Sequence, residues 1–515
     1  MANPSLQIGN GKWAIKEDNL LGYSKAGTRF VPEPITMTRE SAGTRVNSSG
    51  LVETVELLGS ELVDCGDFSC AVPLDYWSNT GTNTSVLDGN LVFNGNSANT
   101  WAIQSLFSAG LYNGKILKIT YTISENTLVG SGNFRRGGYS GSSVFPSSSN
   151  LNTTVGTHTE YITVNSSGNN NALDLWITSG YTSGNLKISN ISLKESTKNN
   201  LARVDYDGTA SSLLVEPERT NLLTYSEDFT SWTEITNITL TANSTTSPSG
   251  DSDGTKFLST STGNYVKEYF SAVSGTTYTL SVYCKNIDAT SIRLLCYDGA
   301  NSFSNYHQDE VNTSTWTRIS LTFTAANTGS GNFQIARNLP NGESAYFWGA
   351  QLEVGSYPTS YIPTDGGTVT RVKDTVVKSG FQSDGIFGST EGSAVFDFKW
   401  DLTNYIFDFE EPSGVKIRIF NENNSTWKLR DINGAAWYNT GFTISEGERS
   451  IIAFKWSGTE VVAFQNGDKS SAVATFASSM AINSIGSGNN LNNLSSMKFY
   501  KTALTDDELK TLTTI

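Results

Sequence analysis

Polar and apolar residues alternate with a period of two along most of this chain. The pattern runs through residues 115–124 (KILKITYTIS), 159–164 (TEYITV), 185–193 (NLKISNISL), 277–283 (TYTLSVY) and 316–324 (WTRISLTFT). It returns in residues 394–400 (AVFDFKW), 415–420 (VKIRIF) and 451–456 (IIAFKW). Successive side chains on a strand point to opposite faces, so each segment predicts a strand with one buried and one wet face. Gly, Asn and Ser fill the short gaps between them, as tight turns require. Two sheets packed face to face would hide the inward aromatics. The clearest helix signal is residues 503–511 (ALTDDELKT), with Thr505 as N-cap and Asp506, Asp507 and Glu508 in the first turn. The fold class expected is all-β, a series of β-sandwiches.

At 515 residues the chain is too long for one ordinary domain. Two strand sets open on similar phrases, SELVDCGDFSCAVPLDYWS (60–78) and NLLTYSEDFTSWTEI (221–235). They read as a unit of about 140 residues used twice, a usual size for a sandwich. The division expected is an N-terminal segment 1–57, short of core-forming strands; a sandwich at 58–198; a return segment 199–220; a second sandwich at 221–370; and a third, differently patterned, at 371–515.

Charge narrows the function. Lys and Arg number 35 against 49 Asp and Glu, a net charge of −14, which disfavours a broad nucleic-acid-binding surface. The two histidines, His158 and His307, lie far apart, which argues against a histidine metal centre or a Ser-His-Asp triad. Cys65 and Cys70 could close a small loop, and Cys284 and Cys296 could face each other on neighbouring strands. Buried thiols are the plainer reading of all four. The opening MANPSLQIGNGKW lacks the basic and apolar regions of a secretory signal, and no apolar run is long enough for a membrane helix. A soluble protein with no membrane insertion is expected.

Three phrases carry a resemblance. They are ITMTRESAGTRVNSSGLVETV (35–55), ARVDYDGTASSLLVEPERTNLLTYSEDFTSWT (202–233) and YFWGAQLEVGSYPTSYIPT (346–364). Each resembles a segment of bacteriophage virion proteins. In that family the first phrase runs closely into the second. Here Arg39, Ser41, Thr44, Arg45, Val46 and Asn47 match the first part, and Arg203, Asp205, Tyr206, Glu216, Pro217, Arg219, Thr220, Asn221 and Leu222 match the second. The intervening sandwich therefore reads as an insertion at a loop tip. The first two sandwiches resemble carbohydrate-binding jelly rolls. The third, ending SMKFYKTALTDDELKTLT, is similar to concanavalin- or laminin-G-type domains. The resemblance implies a phage fibre or adhesin, with a short N-terminal virion-anchoring segment using Trp13, Tyr23 and Arg39–Asn47. If the interrupted module closes, Arg39 and Arg45 sit near Asp205 and Glu216, in fork-shaped pairs that lock two chain segments together or line a trimer or virion-docking interface, with Asn47, Arg203 and Arg219 as further structural or anchoring residues.

Sugar-binding modules use exposed flat rings with neighbouring amides and carboxylates. Candidates off the core strands are Trp77, Trp101 and Tyr139 in the first sandwich and Tyr265, Tyr297 and Tyr306 in the second. In the third they are Trp427, Trp437 and Tyr438. Most sandwich aromatics are core, and Trp348 reads as core or seam. SGDSDGT (249–255) offers Asp251 and Asp253 as weak metal candidates, but the later glutamate of an EF-hand loop is missing, so an acidic turn is the plainer reading. No cofactor is expected; a structural calcium follows only from the jelly-roll resemblance. In IFDFEEP, Glu410 and Glu411 point to opposite faces, whereas Asp408 and Glu410 share one. Nothing else marks them as a glycosidase pair, and no G-x-S-x-G or phosphate-binding loop occurs. Asn152 and Asn237 begin Asn-x-Ser/Thr triplets that follow from composition.

The expectation is a non-enzymatic structural virion protein made in the host bacterial cytoplasm. It would be a tail fibre or adhesin, likened to homotrimeric fibres, that binds other virion proteins through its N-terminus and host surface glycans through multivalent sandwiches. The alternatives are a capsid decoration protein or head fibre, and a glycan-cleaving tail spike, whose β-helix repeat is not visible.

Overall fold

Each alternating segment becomes a strand. Residues 116–124 fall in Ile116–Asn126, 185–193 in Asn185–Thr197, 277–283 in Thr277–Asn286 and 451–456 in Arg449–Ser457. The computed structural model describes residues 3–515 apart from 10–12, 17–18, 27–28, 78–82, 138–140, 142, 146–147, 165–170, 299–303, 311–313, 382, 389, 401–404, 412–413, 422–425, 432–435, 445–447, 477–480 and 488–490. The C-terminal helix is Asp506–Leu512, and Thr505 and Glu508 form a reciprocal capping box at its start.

The chain divides into two compact units, Glu56–Thr197 and the remainder, Met1–Val55 with Lys198–Ile515. In Glu56–Thr197 one sheet contains Gly156–Thr163, Ile116–Asn126, Asn185–Thr197, Asn90–Asn94 and Thr84–Leu87 in that order, with Leu57–Glu61 also on Asn185–Thr197. A second sheet contains Thr100–Ser105, Ala172–Ile177, Phe134–Arg136 and Ser149–Asn150. Leu117, Ile119, Tyr121 and Ile123 alternate inward to meet Leu173, Leu175 and Ile177. The unit's ends are strand neighbours, Leu57 opposite Thr197. Cys65 and Cys70 are disulfide-bonded, whereas Cys284 and Cys296 are buried thiols in different sheets.

The larger unit holds two sandwiches. In the first, Glu234–Thr236, Tyr265–Ala272, Gly329–Ile335, Ile292–Asp298 and Ser304–Glu310 form one sheet. Ile238–Thr245, Gly254–Ser259, Ser344–Val354, Thr277–Asn286 and Thr317–Thr324 form the other. In the second, the division expected from sequence needs correction. The N-terminal residues are not a separate segment, because Leu6–Gly9 pairs with Leu491–Tyr500 and Arg29–Thr38 pairs with both Asn19–Ala26 and Thr375–Ser379. Leu6, Ile8, Leu20, Ile35 and Met37 share one core with Phe396, Phe454 and Phe499. The return hairpin Val204–Asp207/Ala210–Leu214 joins the same sheet at Leu213 and Leu494. The physical reason is pattern length: short strands such as LQIG bury an apolar face only against partners supplied from the far end of the chain.

A buried ion network ties these segments together. Arg39 Nη1 lies 2.8 Å from Asp374 Oδ1, Arg203 Nη2 lies 2.8 Å from Glu216 Oε2 and also pairs with Asp374, and Arg371 Nη1 lies 3.0 Å from Glu216 Oε2. All five residues are buried. Backbone groups add further bonds: Ser360 N–H donates to Glu216 at 2.7 Å, Glu216 N–H to Asp374 at 3.0 Å, and Arg203 to the Thr44 carbonyl at 2.9 Å, while the buried Nε atoms of Arg203 and Arg371 have no hydrogen-bond partner. Burial works against the charge on Arg203, but Asp374 and Glu216 outweigh it and raise its pKa. Burial likewise opposes the Glu216 carboxylate, yet Arg371 and Arg203 hold it down at about 2.

The expected partners are therefore rearranged. Arg39 pairs with Asp374, not with Asp205 or Glu216. Arg45 closes its own hairpin onto Glu53, and Asn47 donates to the same carboxylate at 2.9 Å. Asp205 accepts the Val46 N–H at 2.6 Å, and Arg219 lies 3.7 Å from Glu353. Trp13, named as an anchor, packs partly buried on the chain's own core. Tyr23 lies in Asn19–Ala26, and its side chain is outside the described residues.

Three outcomes are expected. Glu56–Thr197 made alone folds with one cooperative transition, checked by calorimetry, because its ends already pair within it. Glu216→Gln destabilises the larger unit by about 3–5 kcal/mol in denaturant titration, since two buried arginines lose their shared anion. The third concerns pH. Burial raises the Asp205 pKa to about 6, against about 3.9 unfolded. Its contribution to stability is therefore fully present below about pH 4 and lost as pH rises through about 6. Asp205→Asn should be the more stable protein at pH 7, with the gap closing as pH falls to about 4.

Candidate functional site

The strand Tyr265–Ala272, YVKEYFSA, sends Val266, Phe270 and Ala272 into the core. Period two then places Tyr265, Lys267 and Tyr269 together on the opposite, solvent-facing side. Register extends that face across three strands. Asn332 stands between Tyr269 and Tyr297, and Gln334 stands between Lys267 and Leu295. Strand spacing puts Tyr269 and Tyr297 about 10 Å apart across the row.

The side chains are held in place. Lys267 Nζ sits 5.2 Å from the Tyr265 ring centroid and 5.0 Å from that of Tyr269, and it is ion-paired with Glu234. The Arg337 guanidinium lies 5.6 Å from the same Tyr265 ring centroid, and the Tyr265 hydroxyl donates to Glu234. Gln334 donates to Asn332 Oδ1 at 3.1 Å. Gln334 is only 6% exposed, and its Oε1 has no hydrogen-bond partner. A buried amide oxygen without a partner is costly. Flat rings at both ends of a row of amides, on a rigid sheet, suit a ligand with both apolar faces and many hydroxyls.

The structure sorts the sequence candidates. Tyr265 and Tyr297 share this face. Tyr306 lies opposite Cys296 in register, with its side chain outside the described residues, as is Tyr139 altogether. Trp77 and Trp427 are corrections: they are 1% and 0% exposed. Trp77 packs against Phe68 at 5.8 Å, and Trp427 donates to Gln465 at 2.8 Å, so neither can stack on a ligand. Both sit at inward positions of their sandwiches, which turn-rich flanking sequence had disguised. Trp101 is half-buried opposite Trp176. Tyr438 stacks on Phe476 at 5.4 Å and donates to the Thr475 carbonyl, whereas Trp437 is exposed. Trp348 is core.

The metal and carboxylate candidates are also placed. Asp253 accepts the Trp348 indole N–H at 2.9 Å, and Asp251 lies exposed in the turn. Among the described residues no group of three or more His, Cys, Asp or Glu is arranged to hold a metal ion. Arg418 clamps Asp408 through two bonds of 2.6 and 2.9 Å, and Glu410 accepts from Ser484 at 3.1 Å. Sequence reasoning missed Tyr269, Asn332 and Gln334. Tyr269 was reachable, being four residues after Tyr265 on the same strand face; the amides needed the strand register.

No family model matches the chain, and no curated protein matches it. Among solved structures, a CBM4 module is 16% identical over 20% of this chain and 71% of its own, with a TM-score of 0.18. The CBM22-1–CBM22-2 tandem domain from Paenibacillus barcinonensis Xyn10C is 8% identical over 57% and 98%, with a TM-score of 0.21. Mouse laminin alpha1 domains LG4-5 are 9% identical over 47% and 90%, with a TM-score of 0.17. Likenesses this slight assign no activity.

Proposed function

We propose that this chain is a non-catalytic glycan-binding adhesin of a bacteriophage particle, a tail fibre or a related virion protein. The observation that carries the binding reading is the row Tyr297–Asn332–Tyr269, in which Tyr269 is exposed and Tyr297 and Asn332 are half-buried, beside the unsatisfied Gln334. Saccharides present both an apolar ring face and a fringe of hydroxyls, which this row matches. Each such site would be weak. Assembly as a homotrimer, held to other virion proteins through the N-terminal region, would repeat the site and convert weak contacts into firm attachment. The virion part of the reading rests on the sequence phrases 35–55, 202–233 and 346–364. A capsid decoration protein or head fibre would use the same sandwiches, and particle location separates the two.

Tyr269→Ala and Tyr297→Ala are each expected to weaken binding of the full chain to host surface polysaccharide by roughly tenfold, about 1.4 kcal/mol. Isothermal titration reads this, with an unchanged unfolding midpoint as the folding control. Unaltered affinity in both variants would remove the face from the account. Gold-labelled antibody against residues 381–515 is expected on the tail of intact particles. Label over the head would select the decoration role, and no label on particles would overturn the virion reading.

A further inference from the structure

A second face, on the other sandwich, carries different chemistry. Tyr405–Glu411, Gly414–Asn421, Thr426–Asp431 and Ala436–Thr443 are neighbouring strands. Phe409, Ile417, Ile419, Trp427 and Leu429 point into the core. Period two leaves Asp408, Arg418, Arg430 and Trp437 in one outward row, and the register places each directly opposite the next. Like charges directly opposite on a sheet destabilise it. Asp408 answers one of the two arginines through its bidentate bond with Arg418. Arg430 is not answered: among the described residues it has no carboxylate partner, and its buried Nε has no hydrogen-bond acceptor. It lies instead 4.6 Å over the Trp437 ring, and Trp437 is 45% exposed. Lys428 adds a second cation on the same face.

We propose that this row binds a carboxylated saccharide, with the ligand carboxylate supplying the anion that Arg430 lacks and the sugar ring resting on Trp437. A guanidinium fork matches a carboxylate in plane, and a chain of net charge −14 has no general attraction for acidic ligands. An uncompensated arginine beside an exposed indole is therefore a local feature with local selectivity. The inference rests on the reading of the chain as a glycan binder. It uses a different sandwich, so loss of neutral-glycan binding through Tyr269→Ala leaves it separately testable.

The experiment titrates the full chain at low salt with trigalacturonate and with trisialate, each against its methyl ester, which removes the charge and the two-oxygen carboxylate fork together. At least one acid should bind ten times or more tighter than its ester, and added salt should erode that preference. Arg430→Gln should bring acid and ester to parity, and Trp437→Ala should weaken both several-fold. Arg430→Lys keeps the charge and loses the fork, so an intermediate preference is expected; it decides the matter if Arg430→Gln lowers the unfolding midpoint. Equal binding of acid and ester, no binding of either acid, or a preference unchanged in both Arg430 variants would overturn the proposal.

Discussion

Five charged side chains with almost no access to water, Arg39, Arg203, Glu216, Arg371 and Asp374, set the terms for the larger unit. A buried charge without its partner costs several kcal/mol, so each segment that carries one must meet the others before any can stay buried. The segments come from residues 39, 203–216 and 371–374, far apart along the chain. Their junction fixes the base of the sandwich that displays the tyrosine face. Asn221, next to this junction, donates to the carbonyls of Ala350 and Ile362 and accepts the N–H groups of Leu223 and Leu352, which extends the same closure into that sandwich. A buried ionic cluster is weak evidence for high stability but strong geometric specification, because its bonds tolerate few alternative arrangements.

The second constraint is topological. The strand Leu491–Tyr500 lies between partners from the beginning of the chain, the return hairpin and Glu391–Trp400. That sandwich cannot close until its last strand exists. Contacts of such sequence separation make folding slow, and a unit such as Glu56–Thr197, whose contacts are internal, can form earlier. The side chains of both faces sit on paired strands rather than on loops, which holds their rings at fixed spacings.

The sequence made the strands legible because period-two alternation is a local signal, and it survived in every segment where it was strong, from 115–124 to 451–456. The helix was legible for the same reason, since Thr505 and Glu508 are three residues apart. The phrases 35–55, 202–233 and 346–364 did mark the residues that build the junction, including Thr44, Glu216 and Ser360. Their pairing was not legible. Arg371 and Asp374 lie in an unremarkable stretch, TRVKDT, and only the closed fold shows that Arg39 reaches Asp374. The N-terminal strands failed for a related reason: LQIG has no core of its own. Among ring candidates, Trp77 and Trp427 could not be told from Trp437 by residue type, because exposure depends on which sheet covers each position.

The central claim is that the ion junction closes distant segments into one cooperative body. Native-state amide hydrogen exchange at Glu216, Ser360 and Asp374 tests it most directly, because their N–H groups donate within the junction. The account predicts that all three exchange only with global opening of the larger unit, with one common free energy that falls together in denaturant. Exchange of Asp374 or Ser360 through a separate, low-energy local opening, while the strands Thr277–Asn286 and Leu491–Tyr500 stay protected, would contradict it.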